Sequence, residues 1–252
     1  MFSENVIAIA KRLGKIDRLN EIEKFLKEHE QFYIYKTSLS EKLVDCTEAK
    51  IIFGNNAIRF IQLLLYRSKS LIEGSIHALN NNSSLSSILS VRAHFETTGS
   101  MAYLLKKLSS YYDGNINFEK LNEDLIRLSL GSTTIDNPLV PNPIQVLNLI
   151  DATDEYLKKK VFKNIAPYDK KFRVFYEDLC DFCHPNFQGI ASGSEIIKEE
   201  RAIIFSKTNR ISDIEFIFFL RLNVSAVLFI NLYKEVLKLL KEKEIMPIFH
   251  NS

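Results

Sequence analysis

The chain is poor in turn-makers. Its 252 residues include 8 glycines and 6 prolines, roughly half of average usage, so long elements joined by few sharp turns are expected. Cysteine is scarce too. Cys46, Cys180 and Cys183 are too few, and odd in number, for a disulfide framework, and a chain of this size does not need one. A reducing, cytoplasmic setting is the expectation. Charge of one sign is also missing: 33 basic against 31 acidic residues leave +2, too balanced for a chain built mainly to hold nucleic-acid backbone or anionic lipid. A local basic groove stays open. The chain carries no Gly-rich phosphate loop, H-E-x-x-H helix, G-x-S-x-G elbow or EF-hand loop, which removes the recognisable forms of the nucleotide, zincin, hydrolase and calcium classes. The first thirteen residues, with Glu4, Lys11 and Arg12, lack the apolar run and cleavage site of an export signal.

With 46% hydrophobic and 25% charged residues, the chain reads as globular. Its length fits one domain of residues 1–252. Apolar positions recurring at three and four predict helices over about Ser3 to Glu30 (broken at Gly14), Ser40 to Leu79, Ser84 to Leu108, Phe118 to Leu130, Ile144 to Phe162, Tyr168 to His184 and Ser212 to Lys241. Residues 1–39 read as an amphipathic N-terminal appendage lying on the surface, and 40–241 as a core bundle with a proline-containing linker at 131–143. The β-branched runs Glu195-Ile196-Ile197 and Ala202-Ile203-Ile204-Phe205 predict a small hairpin near residues 195–205. The fold class is therefore all-α, a helical bundle with a small β-hairpin. Phe216 to Tyr233 carries one charge, Arg221. An arginine costs about 2.5 to 3.5 kcal/mol at a spanning helix centre, while each large apolar residue returns about 0.3 to 0.6, so a buried bundle helix is favoured over a membrane span.

Two stretches hold candidate functional residues. Arg92 and Glu96 sit four apart, on a stripe with Leu85, Ile88, Leu89, Gly99 and Tyr103. They form either a surface pair worth about 0.3 to 0.5 kcal/mol or a desolvated pair whose breakage costs about 3 to 5. His94 falls on the opposite face, outside this set, and His29 and His77 stand alone. The second stretch runs from Tyr176 through Asp181 to Asn186, with His184 at the helix C-terminus, where free carbonyls favour an imidazolium. Cys180, Cys183 and His184 could supply three zinc ligands on one turn, although small buried hydrophobes are the plainer reading of the cysteines; the same residues spell the C-x-x-C-H of haem attachment, which belongs to exported proteins. No cofactor is expected. Asp151 and Asp154 read as dipole partners at the start of their own helix, and Lys158 to Lys160 as a solvated face.

Arg92-x-x-x-Glu96, followed about eighty residues on by Tyr176-x-x-Leu179-x-x-x-x-His184-Pro185-Asn186, resembles a group of bacterial helical proteins of unknown function often compared with the HEPN-like bundles. The likeness covers roughly Ser40 to Phe205. It implies a helical bundle, and the catalytic HEPN nucleases pair an arginine and a histidine four to six positions apart in a metal-independent RNase site, commonly across a dimer. This chain departs from that motif: Arg92 precedes His94 by two, and Arg173 precedes His184 by eleven.

The resulting expectation is a cytoplasmic helical-bundle protein, a toxin–antitoxin or phage-defence module, in which Arg92, Glu96, Tyr176 and His184 form one polar cluster with Asp181 and Asn186 beside it. Its partner would be a protein or a second copy of the chain. The alternative is a metal-independent RNase, with His184 as acid or base, Arg92 holding a phosphate, and Glu96 orienting one of them. Zinc held by Cys180, Cys183 and His184 is the lesser alternative.

Overall fold

The computed structural model describes residues 1–34, 46–134, 137, 139–163, 169–185, 194–197, 201–205 and 210–242. Helix α1 (Glu4–Arg12) and helix α2 (Ile16–Glu30) are separated at Gly14, whose φ of +63° is the left-handed region glycine enters without penalty. Helix α3 (Cys46–Asn80) runs without a break through Gly54; its expected start at Ser40 lies outside the described residues. A three-residue link then forces α4 (Ser84–Tyr112) back alongside α3. Helix α5 (Phe118–Leu130) starts where Asn117 accepts a hydrogen bond from the Lys120 amide at 3.0 Å. Helices α6 (Val146–Lys160) and α7 (Lys171–Cys183) follow. Strands β1 (Ser194–Ile197) and β2 (Ala202–Phe205) pair antiparallel, Ser194 opposite Phe205.

The last apolar stretch is two helices, α8 (Asp213–Leu220) and α9 (Leu222–Glu242), rather than the single helix its hydropathy suggests. Ser212 and Glu215 close a capping box at its start, and Ser84 on α4 donates to the same Glu215 carboxylate at 2.7 Å. The joint is Arg221, whose amide bonds Phe218 at i−3. Its guanidinium reaches the Phe175 carbonyl at 3.1 Å and Asp178 at 2.7 Å on α7. Asp213–Glu242 is long and apolar enough to cross a membrane, but 61% of its most apolar window is buried inside the bundle.

Helix α4 is the axis of the fold, packing against α3, α5, α6, α7, α8 and α9. It consequently has no wide polar face: Ile88, Val91, Phe95, Met101, Leu104 and Leu108 are all buried. On the stripe shared with Arg92 and Glu96, Leu85 and Leu89 are exposed while Ile88 is buried. Helix α6 crosses α4 closely because Gly99 has no side chain; a Cβ there would stand 2.9 Å from the Leu149 backbone. The N-terminal helices lie as amphipathic elements on the surface, with Glu4, Asn5, Lys11 and Arg12 exposed, and dock their apolar faces inward. Val6, Ile9, Leu19, Ile22 and Leu26 are buried in an apolar cluster with α3, α4, α7 and α8. A second cluster fills the other end of the bundle, between the first half of α3, the second half of α4, α5 and the C-terminal part of α9.

Candidate functional site

Helices α4 and α7 bring together three of the residues singled out above. The Tyr176 hydroxyl donates to Glu96 Oε1 at 2.9 Å, and the same oxygen lies 3.5 Å from Arg92 Nε. The Arg92 guanidinium carbon stands 5.8 Å from the centre of the Tyr176 ring, within cation–π range. Tyr176 is buried, whereas the Arg92 and Glu96 side chains keep 30% and 28% of their exposure. The pair is thus neither a free surface pair nor a desolvated one.

Electrostatics hold the set in a single protonation state. Burial pushes the Tyr176 hydroxyl up, Arg92 pulls it the other way, and Glu96 adds to the rise. Burial works against the Arg92 charge, but contact with Tyr176 and the fields of Cys180, Tyr176 and Glu96 raise its pKa on balance. At neutral pH Arg92 is a cation and Tyr176 a neutral phenol. It has the means to clamp α7 onto α4.

The remaining candidates lie elsewhere. His184 is exposed at the end of α7, and among the described residues its ring makes no hydrogen bond or ion pair; only its amide is bonded, to the Cys180 carbonyl at 2.9 Å. Its backbone is extended, with φ −77° and ψ 151°, as the following Pro185 demands. That turn carries the imidazole out of the helical face shared by Tyr176 and Cys180, so the four-residue cluster is a three-residue one. Asp181 is exposed on α7, and Asn186 lies outside the described residues. Cys180 and Cys183 are half-buried and unbridged; burial raises the Cys183 thiol while nearby Arg92 opposes the rise. Among the described residues no three His, Cys, Asp or Glu side chains converge where they could hold a metal, which corrects the zinc alternative at Cys180, Cys183 and His184: a guanidinium, not a cation site, adjoins the thiols.

Two acidic residues also work differently from the sequence expectation. Asp154 accepts from the amides of Phe172 and Arg173 at 3.0 and 2.9 Å, and Asp151 accepts from Arg173 Nη1 at 3.1 and 3.0 Å. They lie mid-way along α6 and serve the N-terminus of α7, where free amides and the positive dipole end welcome a carboxylate.

The most connected polar group in the molecule was not among the sequence candidates. His29 Nδ1 lies 2.6 Å from the Phe25 carbonyl, His29 Nε2 2.8 Å from Ser68 Oγ, Ser68 Oγ 2.7 Å from His94 Nε2, and His94 Nδ1 2.7 Å from Ser225 Oγ. Thr98 Oγ1 closes the line 2.8 Å from Ser225 Oγ. All five side chains are buried, and they tie α2, α3, α4 and α9 together where the two apolar clusters meet. A carbonyl can only accept, so His29 carries its proton on Nδ1 and takes a bond from Ser68 at Nε2. Ser68 then accepts from His94 Nε2–H, and His94 Nδ1 accepts from Ser225. Every group is satisfied with both histidines neutral. Burial, then the fields of His29 and Arg67, push His94 down to about 3; burial likewise lowers His29. Phe229 stacks on the His29 ring at 5.6 Å. One signal was readable: Ser68 interrupts the apolar stripe Ile61, Leu65, Ile72, Ile76 of α3.

Beside the clamp, a cleft of about 410 Å³ opens between α3, α4, the end of α5 and the start of α6, with Arg67, Glu96, Thr97, Ser100, Arg127 and Gly131 in its lining. A larger cleft of about 550 Å³ lies at the far end of α4, α6 and α9. There Lys106, Lys160 and Lys238 are each paired with a carboxylate, Glu155, Glu235 and Glu242. No protein-family model matches the chain, and neither does any curated protein nor any solved structure.

Proposed function

We propose that this protein is a non-catalytic binding module that works through a protein partner, in the toxin–antitoxin or defence setting the HEPN-like resemblance implies, with Arg92, Glu96 and Tyr176 serving to fix helix packing. The observation that carries this reading is the direct contact of the three side chains with one another across α4 and α7. Glu96 Oε1 receives the Tyr176 hydrogen bond and faces the Arg92 charge, so that oxygen is committed to holding α7 on α4 rather than to taking a proton from a substrate. Exposed apolar side chains support a protein partner: Leu85 and Leu89 on α4, and Ile214 and Ile217 on α8, helices that Ser84 and Glu215 join directly. Such side chains are the usual material of docking surfaces.

Metal-independent RNA cleavage is the second reading. It is favoured by one placement: exposed His184 directly follows Cys183, whose thiol feels Arg92. The test is incubation of labelled RNA with the purified protein in chelator, alongside Arg92→Ala and His184→Ala. The binding-module reading expects intact RNA from all three proteins and a lowered melting temperature for Arg92→Ala only. Cleavage by the parent, abolished in His184→Ala with an unchanged melt, would overturn it.

A further inference from the structure

The cleft beside the clamp is built on fixed walls. Arg127 at the end of α5 donates from Nε to the Asn142 carbonyl at 3.1 Å and from Nη2 to the Pro143 carbonyl at 3.5 Å, which pins the proline-containing linker. Gly131 makes the approach: a Cβ there would meet Pro143 Cα at 2.6 Å and the Arg127 carbonyl at 2.4 Å. On the opposite wall Gly99 admits the Leu149 backbone. The cavity is thus held by two backbone contacts that no other residue type permits, and its 410 Å³ lies within the range of small-molecule sites.

Its charge is uncompensated where ligands would enter. Arg67 Nε donates to Thr97 Oγ1 at 3.1 Å, and Thr97 in turn donates to the Ala93 carbonyl at 2.8 Å, so the guanidinium plane is aimed by a relay from α4. Among the described residues the two terminal amino groups of Arg67 have no hydrogen-bond partner, and neither Arg67 nor Arg127 has a carboxylate within ion-pair distance. A free guanidinium fork matches two oxygens of one oxyanion, and two cations match the charge of about −1.5 to −2 that a phosphate monoester carries at pH 7. Glu96 offsets little of this charge, because Arg92 lies 3.5 Å from its Oε1 as a counter-charge and Tyr176 donates a hydrogen bond to the same oxygen. Among the described residues the other Glu96 oxygen takes no hydrogen bond and can accept from a ligand hydroxyl, as Ser100 Oγ can after donating to the Glu96 carbonyl. Leu64, Val146 and Leu149 supply an apolar flank.

We propose that the cleft between Arg67 and Arg127 binds a small phosphate monoester, with the phosphate on the Arg67 fork and a hydroxyl-bearing body toward Glu96 and Ser100. This goes beyond the packing role given to the clamp and does not depend on whether the protein is catalytic. The test is a titration of the full chain, at constant ionic strength, with inorganic phosphate and with ribose 5-phosphate, followed by the Nε–H resonances of Arg67 and Arg127 in NMR. Saturable shifts with a millimolar or tighter Kd are expected, tighter for ribose 5-phosphate. Arg67→Gln should weaken binding by at least about tenfold with its melting temperature kept, since Arg67 is exposed, and Arg67→Lys should fall between. Equal affinity for the two probes would place the contacts on the phosphate alone and overturn the role of Glu96 and Ser100. No saturable shift up to about 20 mM, well past a millimolar Kd, or unweakened binding by Arg67→Gln, would overturn the site itself.

Discussion

The molecule handles polar side chains in two contrasting ways within a few turns of α4. On one side His94 and Thr98 belong to a buried, neutral line of hydrogen bonds that ends on a backbone carbonyl; on the other, Arg92 and Glu96 meet Tyr176 at a rim that keeps partial contact with water. The difference follows from the cost of burial. A neutral donor or acceptor inside the core loses little if each of its bonds is made, whereas a charge loses far more. The charged pair accordingly stays where solvent still screens it, and the neutral line occupies the dry junction between the two apolar clusters. The buried line therefore sets which helices pack together, and the rim pair sets how firmly one of them, α7, is held.

The strongest way to break this contrast is to remove the centre of the buried line. His94→Leu keeps most of the volume but takes one hydrogen-bond partner from each of Ser68 and Ser225, which keep His29 and Thr98, and each buried bond left unmade costs about 1 to 3 kcal/mol. A loss on the order of 3 kcal/mol or more in urea unfolding is expected.

Mild acid should act on the same line and spare the clamp. Both histidines titrate lower in the folded protein than in the unfolded chain, where the ordinary value is 6.5. Below pH 6.5 the unfolded state therefore binds protons that the folded state refuses, and stability falls with pH until the folded groups titrate, near 3 for His94. Around His29, Glu28 raises the pKa and Lys69 lowers it, but burial outweighs both. The expected slope is up to about 1.4 kcal/mol per pH unit for each histidine, read as the urea midpoint between pH 7.5 and 5, a window in which ordinary carboxylates remain ionised. A flat profile there would mean the two rings are not buried neutral.

The smallest effect belongs to the rim. Tyr176→Phe removes one hydrogen bond to a half-exposed carboxylate that still faces Arg92, so a loss of about 1 kcal/mol is expected, seen as a modest drop in melting temperature. A loss as large as that of His94→Leu would show the clamp to be as desolvated as the core.

Much of the helical architecture is legible residue by residue. Asn117 before an amphipathic run marks the start of α5, Gly14 marks the break between α1 and α2, and the β-branched runs around residues 195–205 mark the hairpin, because caps, positive φ and alternation are local properties. The clamp was half legible. Arg92 and Glu96 announce themselves by their spacing, and Tyr176 lies on the face of α7 that meets them; His184 was misplaced because the conformational demand of Pro185 swings it off that face. The buried line was nearly invisible. Its members sit on four helices, and only Ser68 within an apolar stripe, or His94 and Thr98 four apart on α4, hinted that polar groups belonged in the core. The N-terminal helices were legible only as amphipathic elements, because such a pattern says that one face is covered but not what covers it.

Sequence alone determined that the chain is built of long helices, several of their caps, the amphipathic faces and the near-neutral charge, since each arises from neighbours a few residues apart. Only the tertiary structure decided that α1 and α2 join the core, that His29 and His94 share a buried serine, and that among the described residues Arg67 lines a cleft without a carboxylate in ion-pair distance. Those outcomes depend on which helices pack against which, and packing is settled by shape and desolvation summed over distant residues, for which no local spacing stands as a record.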